Sequence, residues 1–486
     1  MKERKPLFSV LKIKAIVFIF LIYPFQFHAN EESLPELGDT SSSSISLASE
    51  YKLGRLWVAQ LRRSIPEYKD PITQDYVEHL IYRLSEYSQL QDRRLEILVI
   101  DEKNINAFAA PGGIIGINAG LIFQSDSEGE LVSVLTHELA HLSQRHFARR
   151  LQRQADRGLA NALLILASIA VAAASSPEAV LAGQQMLAQQ ALAYSRSNEI
   201  EADRIGFLNL VASGFDPQSM PSMFEKLQSI SRLSGSTELE FLRSHPLTKK
   251  RISDSKIRAN ELKGSNYLDN DEFYLIKNRS VLHFTKTPRQ AVSHFRQELR
   301  RAKSSKNKVL ALYGLALSLS KENKHSEALD IARQALNINP ENLILQTLLL
   351  ELHINAGNRL EAVALGRELL EINTNNFPLS MLYSRALMNQ SEFEKAEEIL
   401  KKLSIRRKYD PQVWYWLAEV QGLSKNIVGL HQSRSEYFYL KGSYDQAIEH
   451  LRYALEIAGN NFQLSESIRA KIENIHSTKE SLKAAS

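Results

Sequence analysis

Three alanines at a fixed interval place the strongest constraint on what this chain can fold into. Ala328, Ala362 and Ala396 stand 34 residues apart, within Ser326-Glu327-Ala328-Leu329, Leu360-Glu361-Ala362-Val363 and Glu394-Lys395-Ala396-Glu397. A strict period of this length marks a stack of paired helices, each burying its apolar face against its neighbours. The small residue lets paired helices approach closely. In the first unit Leu315-Ala316 precede the alanine, Ala335 follows it, and Pro340 closes the second helix because it has no N–H to donate. A further unit carries Ala447 and Ala454. Ala447 lies 51 residues beyond Ala396, so an additional helix around Val413-Trp414-Tyr415-Trp416-Leu417-Ala418 interrupts the period, and a weaker pair surrounds Ala291. This is the tetratricopeptide pattern, and such stacks form concave surfaces that bind partner chains.

The repeats occupy only the last third of 486 residues, so at least one more domain precedes them. Apolar and charged fractions of 44% and 24% are those of a packed globular protein. Most of the formal charge of +5 sits in the first 29 residues, where Lys2, Arg4, Lys5, Lys12 and Lys14 face Glu3 alone. The remainder is nearly neutral and offers no footprint for nucleic acid. The clusters Arg300-Arg301-Lys303 and Arg406-Arg407-Lys408 read as solvated helix faces. A basic start, an apolar run from Ala15 to Tyr23 and Ala29 read as a cleavable signal peptide over 1–29, too short to span a bilayer. Residues 30–46, rich in Ser and Glu, read as a flexible leader. The chain has no cysteine, which excludes disulfides, thiolate metal sites and lipidation at an N-terminal Cys.

Apolar spacing is helical across Leu47–Arg94, as in Tyr76, Val77, Leu80, Ile81 and Leu84. Leu95–Ile100 reads as a strand, Asn106–Gly113 as a turn-rich passage, and Ile114–Asn118 as a second strand. The stretch from Gly112 to Asn118 would bind an extended substrate at a sheet edge. Ser127 followed by Glu130 is a capping box, and its helix is expected to run to about Arg150. Leu159–Ala174 is an apolar run of sixteen residues, short for a membrane span, and reads as a buried or site-covering helix. Another helix is expected from about Gln184 through Leu210, before the Gly214-Phe215-Asp216-Pro217 turn.

The capped helix carries His137-Glu138-Leu139-Ala140-His141. The two histidines are one turn apart on one face and can reach one Zn²⁺, while Glu138 is turned about 100° away, placed to act on a water rather than to ligate. A catalytic zinc usually needs a third protein ligand and one open position. His146, five residues past His141 on a continuous helix, falls about 140° off the ligand face and reads as a surface or packing residue. Ser197–Arg204 offers better: Glu199 and Asp203, four apart, face the same way, so one carboxylate can ligate while the other orients an imidazole. Glu201 is on the opposite side and reads as a solvated carboxylate.

These two phrases resemble the HExxH and ExxxD motifs of the M48 family of metallopeptidases. Asn106–Gly113 and His245-Pro246-Leu247-Thr248-Lys249-Lys250-Arg251 also resemble family signatures. The resemblance implies a zincin-like α+β metallopeptidase domain with a small sheet over 47–263. A linker and degenerate helical pair over 264–307 and a tetratricopeptide solenoid over 308–475 make the whole mainly α. It implies one zinc ion held by His137, His141 and Glu199, with Glu138 as general base, Asp203 behind the ligands, and His245 as transition-state donor or resting fourth ligand. Signal peptide, M48 domain and repeats together resemble periplasmic members of the family. The resemblance implies an endopeptidase that degrades misassembled outer-membrane β-barrel proteins, assists their assembly, and meets them and their assembly machinery through the repeats. Peripheral membrane association is compatible with this. The rival expectation is a repeat-based chaperone or scaffold whose metal site is latched or inactive.

Overall fold

A computed structural model describes residues 46–153, 195–233, 240–262, 267 and 270–485. The expected signal peptide, leader and apolar segment 159–174 lie outside the described residues, as does the stretch 184–194 of the expected later helix. No described helix is long and apolar enough to cross a membrane.

The chain opens with helices α1 (Leu47–Ser64) and α2 (Pro71–Ser85), then strands β1 (Glu96–Ile100), β2 (Ala107–Ala110) and β3 (Ile114–Asn118). The turn-rich passage expected at 106–113 therefore contains a strand. Its alternation is masked because every residue of β2 is buried; only the tight turn at Gly112 and Gly113, with φ of 78° and 75°, shows locally. The sheet order is β1-β3-β2, β3 running parallel to β1 and antiparallel to β2. Being central, β3 cannot add a substrate strand at an edge. That expectation is corrected, and the outer strand on that side is β2. Gly116 of β3 permits the arrangement, since a Cβ there would collide with the Phe108 ring of β2.

After α3 (Ala119–Gln124), Ser127 caps α4 (Glu128–Ser143), accepting from Glu130 N at 3.2 Å, and Glu130 Oε2 in return accepts from Asp126 N at 2.7 Å. The helix does not run on to 150. Arg145 takes φ 49°, ending α4 and redirecting the chain into α5 (His146–Arg153). The left-handed turn is anchored by an ion pair between Arg145 and Glu50 of α1. Beyond the undescribed stretch come α6 (Arg196–Ala212), capped by Ser195, then α7 (Ser219–Leu233), α8 (Glu240–Ser244) and α9 (Lys249–Glu261). The peptidase core forms where α2 and α4 pack against one face of the sheet: Val77, Leu80, Ile97, Ile115, Ile117, Leu131 and Leu135 are all buried together.

The rest of the chain is a helical solenoid. The pair Asp271–Phe284 and Pro288–Arg301 corresponds to the weak unit around Ala291. Ala328, Ala362 and Ala396 are buried at matching places on helices His325–Ile338, Arg359–Ile372 and Phe393–Arg406. The interrupting helix is Pro411–Leu423, after which Ile427–Leu440 pairs with Tyr444–Ala458, carrying buried Ala447 and Ala454. Arg300, Arg301 and Lys303 are exposed as expected, and so are Arg406 and Lys408. Arg407 is not a solvated charge: it turns inward to grip Glu78 of α2 with two hydrogen bonds of 2.7 and 2.6 Å.

Candidate metal centre

Helix α4 presents His137, Glu138 and His141, all buried. Helix α6 crosses it closely because of small residues. Ala140 and Ala202 pack together, and a Cβ on Gly206 would lie 3.0 Å from the His137 backbone. Glu199, Asp203 and Gly206 share one face of α6, so the close approach at Gly206 delivers both carboxylates to the histidines. The turn after α8 supplies His245, its ring stacked on Phe241 at 4.7 Å, and Thr248 caps α9 so that Arg251 points back into the site.

Four buried groups, His137, His141, Glu199 and His245, each offer one donor atom within 4.8 Å of the others. His141 Nε2 lies 3.0 Å from His137 Nε2 and 3.4 Å from Glu199 Oε1, while His245 Nδ1 lies 3.2 Å from His137 Nε2 and 3.1 Å from Glu199 Oε1. A tetrahedron with bonds of about 2.0–2.1 Å has edges of about 3.3–3.4 Å, so these spacings are those of donors converging on one zinc-sized ion. Two imidazoles, a carboxylate and a further imidazole are also the donor chemistry that zinc accepts. Neither oxygen of the buried Glu138 carboxylate reaches a well-aligned hydrogen-bond donor. The residues present fit the ion.

The groups behind the donors are ordered. His137 Nδ1 is 3.1 Å from Asp203 Oδ1, and Arg251 grips both Asp203 oxygens at 2.6 and 2.7 Å while approaching Glu199 Oε2 at 2.8 Å. Burial alone would raise the Asp203 carboxyl, but Arg251 outweighs it and holds it below the ordinary range. Burial likewise acts against ionised Glu199, yet the facing imidazoles, His245 foremost, hold it well below that range. Burial dominates at Glu138 and raises it, eased in part by charge from His245 and His137 and by the Ala109 backbone of β2. A raised carboxylate beside a metal position suits a group that must take and return a proton. Burial keeps His141 neutral by pushing it well below the usual imidazole value.

All six residues singled out from sequence (His137, Glu138, His141, Glu199, Asp203 and His245) are thus brought to one place. His146, expected as a surface or packing residue, is fully buried, but it also meets the ligand face it was expected to miss, with Nδ1 2.8 Å from His141 Nδ1 and Nε2 3.1 Å from Glu201 Oε2. Glu201, expected to be simply solvated, is the acceptor at the end of that chain. The His146 expectation assumed a helix unbroken from 128 to 150; the turn at Arg145 instead brings His146 back beside His141, where it also meets Glu201. Arg251 was missed altogether. Its place six residues after His245 in an otherwise noted phrase was the available signal, but only the packing of α9 on α6 shows its role.

Fold and site together define a metallopeptidase joined to a tetratricopeptide solenoid. The profile of peptidase family M48 matches residues 71–259, and a tetratricopeptide repeat profile matches residues 356–420. A protein of Escherichia coli (strain K12) named beta-barrel assembly-enhancing protease is 31% identical over 431 residues, covering 88% of each chain. A Yersinia pestis protein of the same name is 30% identical, covering 86% of each. The mitochondrial metalloendopeptidase OMA1 of Arabidopsis thaliana is 32% identical over 34% of this chain and 31% of its own. The chain belongs to the M48 metallopeptidases and, within them, to the family of beta-barrel assembly-enhancing proteases.

Proposed function

We propose that the chain is a zinc-dependent endopeptidase of the periplasm that cuts misassembled outer-membrane β-barrel proteins and assists their assembly. The observation that carries this reading is the buried four-donor cluster beside Glu138, in a chain similar along most of its length to proteases named for β-barrel assembly. His137, His141 and Glu199 hold the ion, with Asp203 and Arg251 behind them. When bound, the zinc supplies Lewis acidity, bringing a water toward a pKa of ~7 and polarising the scissile carbonyl. Glu138 takes the proton from the attacking water and passes it to the departing amine. An extended substrate is placed along β2, whose Ala109 backbone stands beside the Glu138 carboxylate, and the solenoid supplies the surface that selects partner chains. The signal peptide over 1–29 accounts for export.

The test is Glu138→Gln. Zinc content should stay at one per chain while cleavage of an unfolded protein substrate falls about a thousandfold, as expected for loss of a general base. Retained cleavage would sink the assignment.

A second reading, a chaperone or scaffold with a latched site, is favoured by one observation: His245 Nδ1 stands at the fourth corner of the cluster, where catalysis needs an open position.

A further inference from the structure

We infer that His146 and Glu201 are positioning residues, a hydrogen-bonded relay that fixes the tautomer and ring orientation of the ligand His141. The inference rests on the reading of His141 as a metal ligand.

The argument is one of proton placement. His141 turns Nε2 into the donor cluster, 3.0 Å from His137 Nε2 and 3.4 Å from Glu199 Oε1. A ring nitrogen that ligates carries no hydrogen, so in the neutral imidazole the hydrogen sits on Nδ1. That Nδ1 is 2.8 Å from His146 Nδ1, and two N–H groups cannot face each other at this distance. His146 Nδ1 must therefore accept, which puts its own hydrogen on Nε2. The acceptor for that hydrogen is Glu201 Oε2, 3.1 Å away. One arrangement of hydrogens satisfies both contacts, and a carboxylate two rings distant selects it.

The two helical ligands are thus held by different devices. His137 has a carboxylate directly behind it, since Asp203 Oδ1 is 3.1 Å from its Nδ1. His141 has an imidazole, which in turn has a carboxylate. Groups of this kind orient a ligand ring, and their loss typically costs 10–100-fold in metal affinity. The relay depends on the fold in a specific way. Only the left-handed residue Arg145, φ 49°, returns His146 to its neighbour's ring. The chain of contacts also leads outward: His146 is fully buried, while the Glu201 side chain is 32% exposed and lies 3.4 Å from Arg149 Nη2. The ligand set thereby has a hydrogen-bonded connection to the surface.

The test uses pairs of variants matched in charge and size, read by competition for Zn²⁺ against a chromogenic chelator. Glu201→Gln and Glu201→Met both remove the charge, but only Gln keeps an acceptor for His146. Likewise His146→Gln keeps an acceptor for His141 and a donor for Glu201, whereas His146→Leu keeps neither. Zinc affinity should fall about tenfold or more in His146→Leu and several-fold in Glu201→Met, with each Gln variant recovering most of the loss. Thermal melting of the zinc-free protein serves as the control, and should not differ between Glu201→Gln and Glu201→Met. Equal zinc affinity within both pairs would overturn the relay. His141→Ala is the separate arm: if it binds zinc like the wild type, the ligand reading itself fails, whereas its loss of zinc beside indistinguishable pairs defeats the relay alone.

Discussion

His245 reaches in two directions at once. Its Nδ1 joins the donor cluster, and its Nε2 lies 3.4 Å from Glu138 Oε1. A ring ligating through Nδ1 would carry its hydrogen on Nε2 and aim it at the carboxylate that must act as base. On the latched reading, occupying the fourth corner and engaging Glu138 are a single lock, not two separate obstacles. We expect His245→Ala to raise cleavage of an unfolded protein about tenfold while weakening zinc binding, as loss of one of four donors should. Turnover and zinc affinity measured on the same preparation check this. A fall in kcat at full zinc occupancy would instead identify His245 as a donor to the transition state. Phe241 stacks on the ring at 4.7 Å, so on that reading the α8 turn is the element whose shift would free the fourth position.

At the scale of elements, the site is the crossing of α4 and α6, and Gly206 sets its depth. A Cβ there would meet His137 N and Cα at 3.0 Å and the Thr136 carbonyl carbon at 3.1 Å, all backbone atoms that cannot rotate away. Gly206→Ala should improve the intrinsic helix propensity of α6 by about 1 kcal/mol. It should nonetheless move Glu199 and Asp203 off His137 and His141 by a few tenths of an ångström, lowering zinc affinity about tenfold. Undiminished affinity by chelator competition would show that the crossing is not what sets the donor spacing. Much of this element could be read in advance because it is encoded locally. The capping box at Ser127, the one-turn spacing of His137 and His141, the four-residue spacing of Glu199 and Asp203, and the 34-residue alanine period each lie within a few turns of chain. What escaped was fixed by contacts distant in sequence. The break at Arg145 is held by Glu50, some 95 residues earlier, and nothing in the apolar pattern announces it. The fully buried β2 has no alternation to betray it, so the sheet edge was assigned to the stretch that forms the central strand. Arg251 acquires meaning only across its 48-residue separation from Asp203.

On the scale of the whole molecule, the solenoid is tied to the peptidase domain by buried charge as well as by apolar packing. A cavity of about 1020 Å³ opens between them, lined from one side by residues such as Tyr68 and Val99 and from the other by Arg385 and Trp416. At one edge Arg407 grips Glu78 and lies over the Phe377 ring at 3.7 Å. At another, Arg279 binds both oxygens of Asp70 at 2.6 and 2.9 Å and reaches Glu351 of helix Leu343–Ala356 at 3.1 Å. Asp70 also caps α2, accepting from Thr73 N at 3.3 Å. Burial would raise this carboxyl, but the Arg279 charge and hydrogen bonds outweigh it and hold it below its ordinary value. A carboxyl depressed in the folded state contributes stability that is complete above its unfolded value of about 3.9 and lost as pH falls through the folded value. Asp70→Asn isolates this term, because Asn caps a helix as well as Asp does. The variant should be about 3 kcal/mol less stable at pH 7, the lower end for breaking a buried pair, since Glu351 still faces Arg279. Urea unfolding of both proteins from pH 7 down to pH 3 gives the check: the difference should hold steady to about pH 4 and narrow below it. A difference that stays constant to pH 3 would mean that the Asp70 charge contributes nothing to joining the two halves, leaving the apolar contacts to hold the solenoid against the active-site domain.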